Sequence, residues 1–120
     1  MWVVVGALVG VIIGMWLPYQ IPVSLSRYIS VGILAGLDSV IGGTRAGLET
    51  RFDYLVFASG FVVNTILAVL VTYIGVVLGA DLYLAAVVTF GLRIFANLGA
   101  VRRHLLRRPS AHPALCTRNR

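Results

Sequence analysis

The chain has 120 residues, of which 59% are hydrophobic and only 12% carry charge, about half the charged fraction of roughly 25% that is usual for soluble domains. Its net charge of +6 would suit a nucleic-acid-binding protein, but six of its ten arginines follow Val101, as in a basic tail at a membrane surface. These properties exclude an ordinary soluble domain and a nucleic-acid partner. They predict one all-α integral membrane domain over residues 1–108, with a flexible basic C-terminal tail over 109–120.

Apolar runs predict three to four transmembrane helices in chain order, because a helix needs about 20 residues to cross the hydrocarbon. The predicted helices are 2–17, 28–43, 55–79 and 82–108. The first run is short, but no basic residue precedes it, so we interpret it as a retained span rather than a signal peptide. The second run contains Asp38 and is rich in glycine, so it either crosses the membrane or enters and returns. The last two runs are long enough to cross, and Pro109 stops the fourth helix.

Arginines predict the orientation, because basic residues that flank spans stay on the cytoplasmic side. The membrane-surface residues Arg102, Arg103, Arg107 and Arg108 place the C-terminus in the cytoplasm, near anionic head groups. With four spans the N-terminus and the 44–53 loop are cytoplasmic too; a second run that returns would move the N-terminus outside. The predicted location is the bacterial inner membrane, as a multi-pass protein.

The predicted cytoplasmic loop between the second and third helices carries charges of both signs. These residues are Arg45, Glu49, Arg51 and Asp53. A compact segment of mixed charge is more typical of a solvated turn or a docking surface than of an active site.

Small residues are arranged in stripes along three of the predicted helices. The glycines are Gly6, Gly10 and Gly14 on the first helix, Gly32 and Gly36 on the second, and Gly60, Gly75 and Gly79 on the third. Small residues four apart let the backbone of another helix approach closely. Because four such helices bury little among themselves, we expect glycine-stripe packing in a homo-oligomer.

Four polar residues lie inside the apolar runs, namely Asp38, Asn64, Arg93 and Asn97. A charge at that depth needs a partner or a cavity, so the sequence predicts an ion pair between Arg93 and Asp38, within one subunit or between two. Two interpretations stay open. The pair locks the packing of helices, or it lines a path for a proton, an ion or a small anion.

Catalytic chemistry finds little support in the sequence. His104, His112 and Cys116 all follow the last apolar run, and no second acid is in register with Asp38. The spacings of zinc sites and of phosphate-binding loops are missing from the sequence as well. We therefore expect no enzyme activity, no cofactor and no metal site.

Several ordered segments also carry a family resemblance. They are 37–46 (LDSVIGGTRA), 57–64 (FASGFVVN), 78–87 (LGADLYLAAV), 90–97 (FGLRIFAN) and 102–105 (RRHL). Through them the chain resembles the small basic protein family, a DUF1290-type family of small membrane proteins of unknown function in Gram-positive bacteria. The resemblance extends from the N-terminus to about Leu106. The motif positions include Asp38, Arg45, Asn64, Asp81, Arg93 and Asn97.

The resemblance implies a setting for the protein but no chemistry. Members of the family are encoded beside cell-division and cell-envelope genes, and no catalytic residues are established that could be carried over. We therefore expect a homo-oligomeric scaffold or accessory subunit that contacts division or envelope membrane proteins. The alternative is a small channel or transporter subunit in which Asp38 and Arg93 line a polar path.

Overall fold

The computed structural model describes residues 2–107, and these form four helices, so the all-α prediction is confirmed. The helices are α1 (Trp2–Trp16), α2 (Val23–Leu48), α3 (Tyr54–Leu78) and α4 (Leu82–Leu106). The predicted basic residue Arg108 and the predicted tail over 109–120 lie outside the described residues.

Helix α2 is the centre of the fold. It contacts α3 and α4 along much of its length, α3 and α4 contact each other less, and α1 contacts α2 alone among the described helices. The structure is therefore a bundle of α2, α3 and α4 with α1 attached to one side. Every polar contact described below between two helices involves α2.

The observed α2 is ten residues longer than the predicted helix 28–43. The prediction followed the apolar run and missed polar residues that fit within a helix by hydrogen bonding to its carbonyls. Ser26 Oγ donates to the Val23 carbonyl at 2.8 Å, and Thr44 Oγ1 donates to the Val40 carbonyl at 2.8 Å. The helix also continues without a break through Asp38, so a second run that enters and returns is wrong.

The ends of α3 follow from two local signals. Asp53 is its N-cap, and the Asp53 Oδ1 atom accepts from the backbone N–H groups of Leu55 (2.8 Å) and Val56 (3.1 Å). Gly79 ends the helix with φ of 67°, and the next N–H, of Ala80, donates to the Gly75 carbonyl at 2.9 Å. The backbone of Gly79 serves the left-handed turn beyond α3, and its predicted part in helix packing stays a prediction.

The end of α2 repeats this turn with an unusual residue. Thr50 adopts φ of 57°, and the Arg51 N–H donates to the Ala46 carbonyl at 2.9 Å. A β-branched residue is strained in the left-handed region that glycine usually occupies. The α2–α3 link is consequently a tight turn of five residues rather than the predicted ten-residue loop 44–53.

The apolar core is small, and the surface is mostly hydrophobic. The buried hydrophobic residues are Val31, Ala35, Ala68, Ala86 and Phe90. Most large apolar side chains point outward along all four helices. Helices α2, α3 and α4 are long and apolar enough to cross a membrane, whereas α1 is a shorter apolar helix of 15 residues.

Candidate functional site

The pair of Asp38 and Arg93 lies where α2 meets α4, with both partners in one chain. The Arg93 Nη2 atom is 3.1 Å from Asp38 Oδ2. The Asp38 side chain is 0% exposed, whereas the Arg93 side chain is 54% exposed. Within the described residues neither Asp38 oxygen has a partner in hydrogen-bonding geometry. The contact is thus an ion pair by distance, and the buried carboxylate keeps unused acceptor positions.

Asn64 approaches the same region from α3. Its Nδ2 atom is 3.5 Å from the Oγ atom of Ser39, which is next to Asp38 on α2. This hydrogen bond is long, because the usual N–H···O distance is about 2.9 to 3.0 Å. The Ser39 hydroxyl itself donates to the Ala35 carbonyl at 3.1 Å. Asn64 is therefore close to Asp38 but bound only weakly to its neighbour.

Asn97 belongs to a second contact between α2 and α4, one or two turns nearer the basic end of the bundle. Its Oδ1 atom accepts from Arg45 Nη1 at 3.1 Å, and Arg45 Nε also donates to Glu49 Oε1 at 2.9 Å. This hydrogen bond from Arg45 lowers the pKa of the Glu49 carboxyl. The four polar residues predicted as one group are thus divided between two separate sites. Arg45, which the sequence predicted to lie in a loop, belongs to the second site.

The four charged residues of the predicted cytoplasmic loop have separate roles. Arg45 lies in the last turn of α2, Glu49 caps that helix, and Asp53 caps α3. Arg51 is exposed in the link between the two helices. They form a structured turn, with Arg51 and Asp53 beside the cavity described next.

A cavity of about 230 Å³, lined by both polar and apolar residues, extends from the α2–α3 link to the Asp38–Arg93 pair. Its polar lining is Asp38, Ser39, Asn64 and Arg93 at the inner end and Arg51 and Asp53 at the link. Its remaining walls include small residues of α2 and aromatic rings of α3. The Phe57 and Phe61 rings are tilted by 42° to each other, with centroids 6.4 Å apart. We call this space the α2–α3 cavity.

An apolar layer lies beyond the inner end of the α2–α3 cavity. The layer consists of the buried core residues of α2, α3 and α4, which lie one to two turns beyond Asp38 and Asn64. On its far side a second cavity of about 230 Å³ is lined by polar residues that include Arg27, Thr72 and Asp81. The bundle therefore has a polar space near each end and an apolar layer between them.

The predicted glycine stripes differ in what they contact. A Cβ atom at Gly36 would lie 3.2 Å from the Phe61 ring, and at Gly32 it would lie 3.7 Å from Thr65 Cγ2, so both face α3. At Gly75 it would lie 2.8 Å from the Ala80 carbonyl oxygen. The predicted stripe positions at which a Cβ atom would have nothing within 4 Å are Gly6, Gly10, Gly14, Gly60 and Gly79.

Gly43 is a close approach that the sequence analysis missed. A Cβ atom there would lie 2.6 Å from Phe57 Cδ2. Its spacing of seven residues from Gly36 places it on the same side of α2, two turns on, and this spacing was the available signal. Gly43 lets the aromatic wall of the α2–α3 cavity pack directly against the α2 backbone.

The basic end of α4 carries the remaining predicted residues. Arg102, Arg103 and Arg107 are exposed there, and the three line a shallow depression of about 390 Å³ with Gly99 and Leu106. Within residues 2–107 no group of three or more His, Cys, Asp or Glu side chains gathers in a way that could hold a metal ion.

Comparison with known proteins finds relatives of unknown function. The family model described as "Protein of unknown function (DUF1290)" matches residues 21–106. The chain is 47% identical over 107 residues to the "Small basic protein" of Bacillus subtilis, which covers 88% of this chain and 88% of that protein. It is 40% identical over 99 residues to uncharacterized proteins of Mycobacterium bovis and Mycobacterium tuberculosis, covering 81% of this chain and 82% of each of theirs. No solved structure matches. The resemblance seen in the sequence motifs is thereby confirmed.

Proposed function

The chain belongs to the DUF1290 family of proteins of unknown function, and we propose that it is an integral membrane protein that self-associates as a scaffold or accessory subunit. Its place is the bacterial cell membrane, with the C-terminus in the cytoplasm. Its partners are further copies of itself and membrane proteins of the division or envelope machinery. It carries out no catalysis of its own.

The distribution of apolar side chains supports membrane placement. Outward-facing residues such as Leu92, Phe95 and Ile66 are more than half exposed, and such residues continue along the whole length of α3 and α4. Soluble monomers rarely expose apolar patches of more than a few hundred Å², whereas a lipid-facing surface requires them. Three helices of 25 or 26 residues are about 38 Å long at 1.5 Å per residue, enough to cross about 30 Å of hydrocarbon.

The single observation that carries the proposal of self-association is the open face of α1. Among residues 2–107, this helix has no buried residue and contacts only α2. Gly6, Gly10 and Gly14 lie on one face, and a Cβ atom added at any of them would have nothing within 4 Å. In lipid, helices associate where small residues let their backbones approach closely. A second copy of the chain completes this packing.

The alternative of a channel or transporter subunit has one observation in its favour, the α2–α3 cavity with Asp38 and Arg93 at its inner end. Against it, the apolar layer separates this cavity from the one lined by Arg27 and Asp81. A conducting path would need both cavities to join, within one chain or at an oligomer axis. The scaffold is therefore the proposal that the geometry favours.

The division or envelope setting has a separate support, which is the family resemblance. Two surfaces suit contact with other proteins on the cytoplasmic side. One is the α2–α3 link with Arg51, and the other is the exposed basic end of α4 with Arg102, Arg103 and Arg107.

Native mass spectrometry tests the proposal. The chain is tagged, expressed at its native level and extracted gently from its own membrane, and the stoichiometry and the co-purifying proteins are read together. The expected result is a homo-oligomer that holds division or envelope proteins at a fixed ratio, and this ratio falls when Arg51 or Arg103 is changed to glutamine. A monomer without partners would contradict the proposal. A closed oligomer without partners would favour the channel or transporter subunit, and flux measurements on Arg93→Met and Asp38→Leu would follow.

A further inference from the structure

The Asp38–Arg93 pair has unused hydrogen-bonding capacity at its centre. Both Asp38 oxygens are buried and lack a hydrogen-bond donor within the described residues. Arg93 brings five N–H donors, and its half-exposed side chain uses one nitrogen atom toward Asp38. Leaving a buried charged group without hydrogen bonds is strongly unfavourable, so a mid-membrane pair of this kind needs further partners.

The α2–α3 cavity has the size and the chemistry to supply them as water. A cavity holds one water when it offers roughly 10–15 Å³, and it holds that water well when two to four polar groups surround it. The volume here is about 230 Å³, and Asp38, Asn64 and Arg93 all line the space. Asn64 is free to bind water, because its one contact, to Ser39, is 3.5 Å long.

The route into the cavity is asymmetric. At the α2–α3 link it is lined by Arg51 and Asp53, beside exposed residues of the turn. At the other end it meets the apolar layer of Val31, Ala68 and Phe90. The Arg93 side chain is 54% exposed at the inner end, so the space also opens sideways there, toward the surface proposed to face lipid. In the membrane, water therefore reaches the pair from the side that carries the link.

We infer that the α2–α3 cavity is a blind, water-filled site that hydrates the Asp38–Arg93 pair from the cytoplasmic side of the membrane and admits small polar solutes. This inference rests on the membrane placement proposed above. The site would bind water and small polar solutes, and nothing would be conducted across the apolar layer.

Thiol labelling tests the inference along α3. In a Cys116→Ser background, single cysteines replace Asn64 and Gly60 inside the cavity, Ala68 in the apolar layer and Val63 on the outer face. Gly60 suits this use, because a Cβ atom there meets nothing within 4 Å. The full-length variants are reconstituted in vesicles and exposed to a charged, membrane-impermeant thiol reagent from either side. A membrane-soluble maleimide then reports whether each cysteine is present and reactive.

Only the two cavity positions should react with the charged reagent, and only from the side of the α2–α3 link. We expect Asn64→Cys and Gly60→Cys to react at least about tenfold faster than Val63→Cys and Ala68→Cys, because the reactive thiolate forms only where water reaches it. Equal, slow labelling of all four by the charged reagent, with normal maleimide labelling, would show a dry cavity and overturn the inference alone. Fast labelling of Val63→Cys as well would overturn the membrane placement. Labelling of Asn64→Cys from the opposite side would refute one-sided access.

Discussion

Asp38 is a buried acidic residue in the middle of α2, and it requires a compensating partner inside the bundle. Its carboxylate is fully buried between helices, and its nearest cation is the Arg93 guanidinium at 3.1 Å. Removing one partner of a buried pair leaves an uncompensated charge, whereas replacing both partners with apolar residues is often neutral. If the pair only packs helices, replacing both residues together should be tolerated. If the pair also lines a polar path, replacing both should abolish that function even where the protein still folds.

The first prediction concerns this asymmetry. Arg93→Met should lower the stability by on the order of 3 kcal/mol, because it strands the Asp38 carboxylate. Adding Asp38→Leu should recover most of that loss. The measurement is the midpoint of thermal unfolding in mild detergent, with Arg51→Met as the control for removing an exposed arginine. A double variant no more stable than Arg93→Met would contradict the pairing.

The second prediction concerns pH and the contact between Arg45 and Glu49. The hydrogen bond from Arg45 lowers the Glu49 pKa, so the folded state favours the ionised carboxylate. The stabilisation is therefore fully present above the unfolded pKa of about 4.3 and is lost as the pH falls through the lower folded value. The unfolding midpoint of Glu49→Gln should lie below that of the wild type at neutral pH and converge with it in acid. A difference that stays constant across this range would refute the linkage.

At the scale of helices, close approaches of backbone set the architecture. Gly36 and Gly43 bring α2 against the aromatic rings of α3, and Gly75 lets the start of α4 fold back over the end of α3. At each of these glycines, an atom of the neighbouring element occupies the space that a side chain would fill. Close packing of backbones, rather than burial of large apolar side chains, therefore holds the bundle together.

The third prediction compares two glycines of α3. Gly75→Ala should destabilise the fold by about 1 to 3 kcal/mol, because the new methyl group would lie 2.8 Å from a backbone oxygen that cannot turn away. Gly60→Ala should be neutral, or stabilising by up to about 1 kcal/mol, since its Cβ has open space and alanine favours helix. Thermal unfolding of the two variants side by side checks this. The opposite order of stability would contradict the close approach of the α3–α4 turn to Gly75.

The sequence predicted the helices better than it predicted their contacts. Apolar runs located all four helices, but α2 is longer than its run because Ser26 and Thr44 bond back to helix carbonyls. The Asp38–Arg93 pair was predictable, since a buried charge needs a partner and the chain offers few. The contact of Arg45 with Asn97 was not predictable from the sequence. It depends on the extra turn of α2 and on how α2 and α4, which lie far apart in the chain, pack side by side.

At the scale of the whole molecule, α1 is incomplete as a packed element. It is about 23 Å long at 1.5 Å per residue, shorter than the hydrocarbon it would cross, and it has no buried residue within the described part of the chain, residues 2–107. The bundle of α2, α3 and α4 holds the polar contacts without it. We propose that α1 contacts other copies of the chain through its glycine face.

Subunit counting in the membrane tests this central claim most directly. Single chains carrying one fluorescent label are counted by photobleaching steps in native membrane vesicles, for the wild type, for Gly10→Leu and for Ile12→Phe. Ile12 lies on the side of α1 opposite Gly10, at about 200° by the helical period of 3.6 residues, so it controls for added bulk. We predict a fixed number of subunits above one for the wild type and Ile12→Phe, and a shift to single chains for Gly10→Leu. A wild type that is monomeric, or a Gly10→Leu count equal to that of the wild type, would contradict the account.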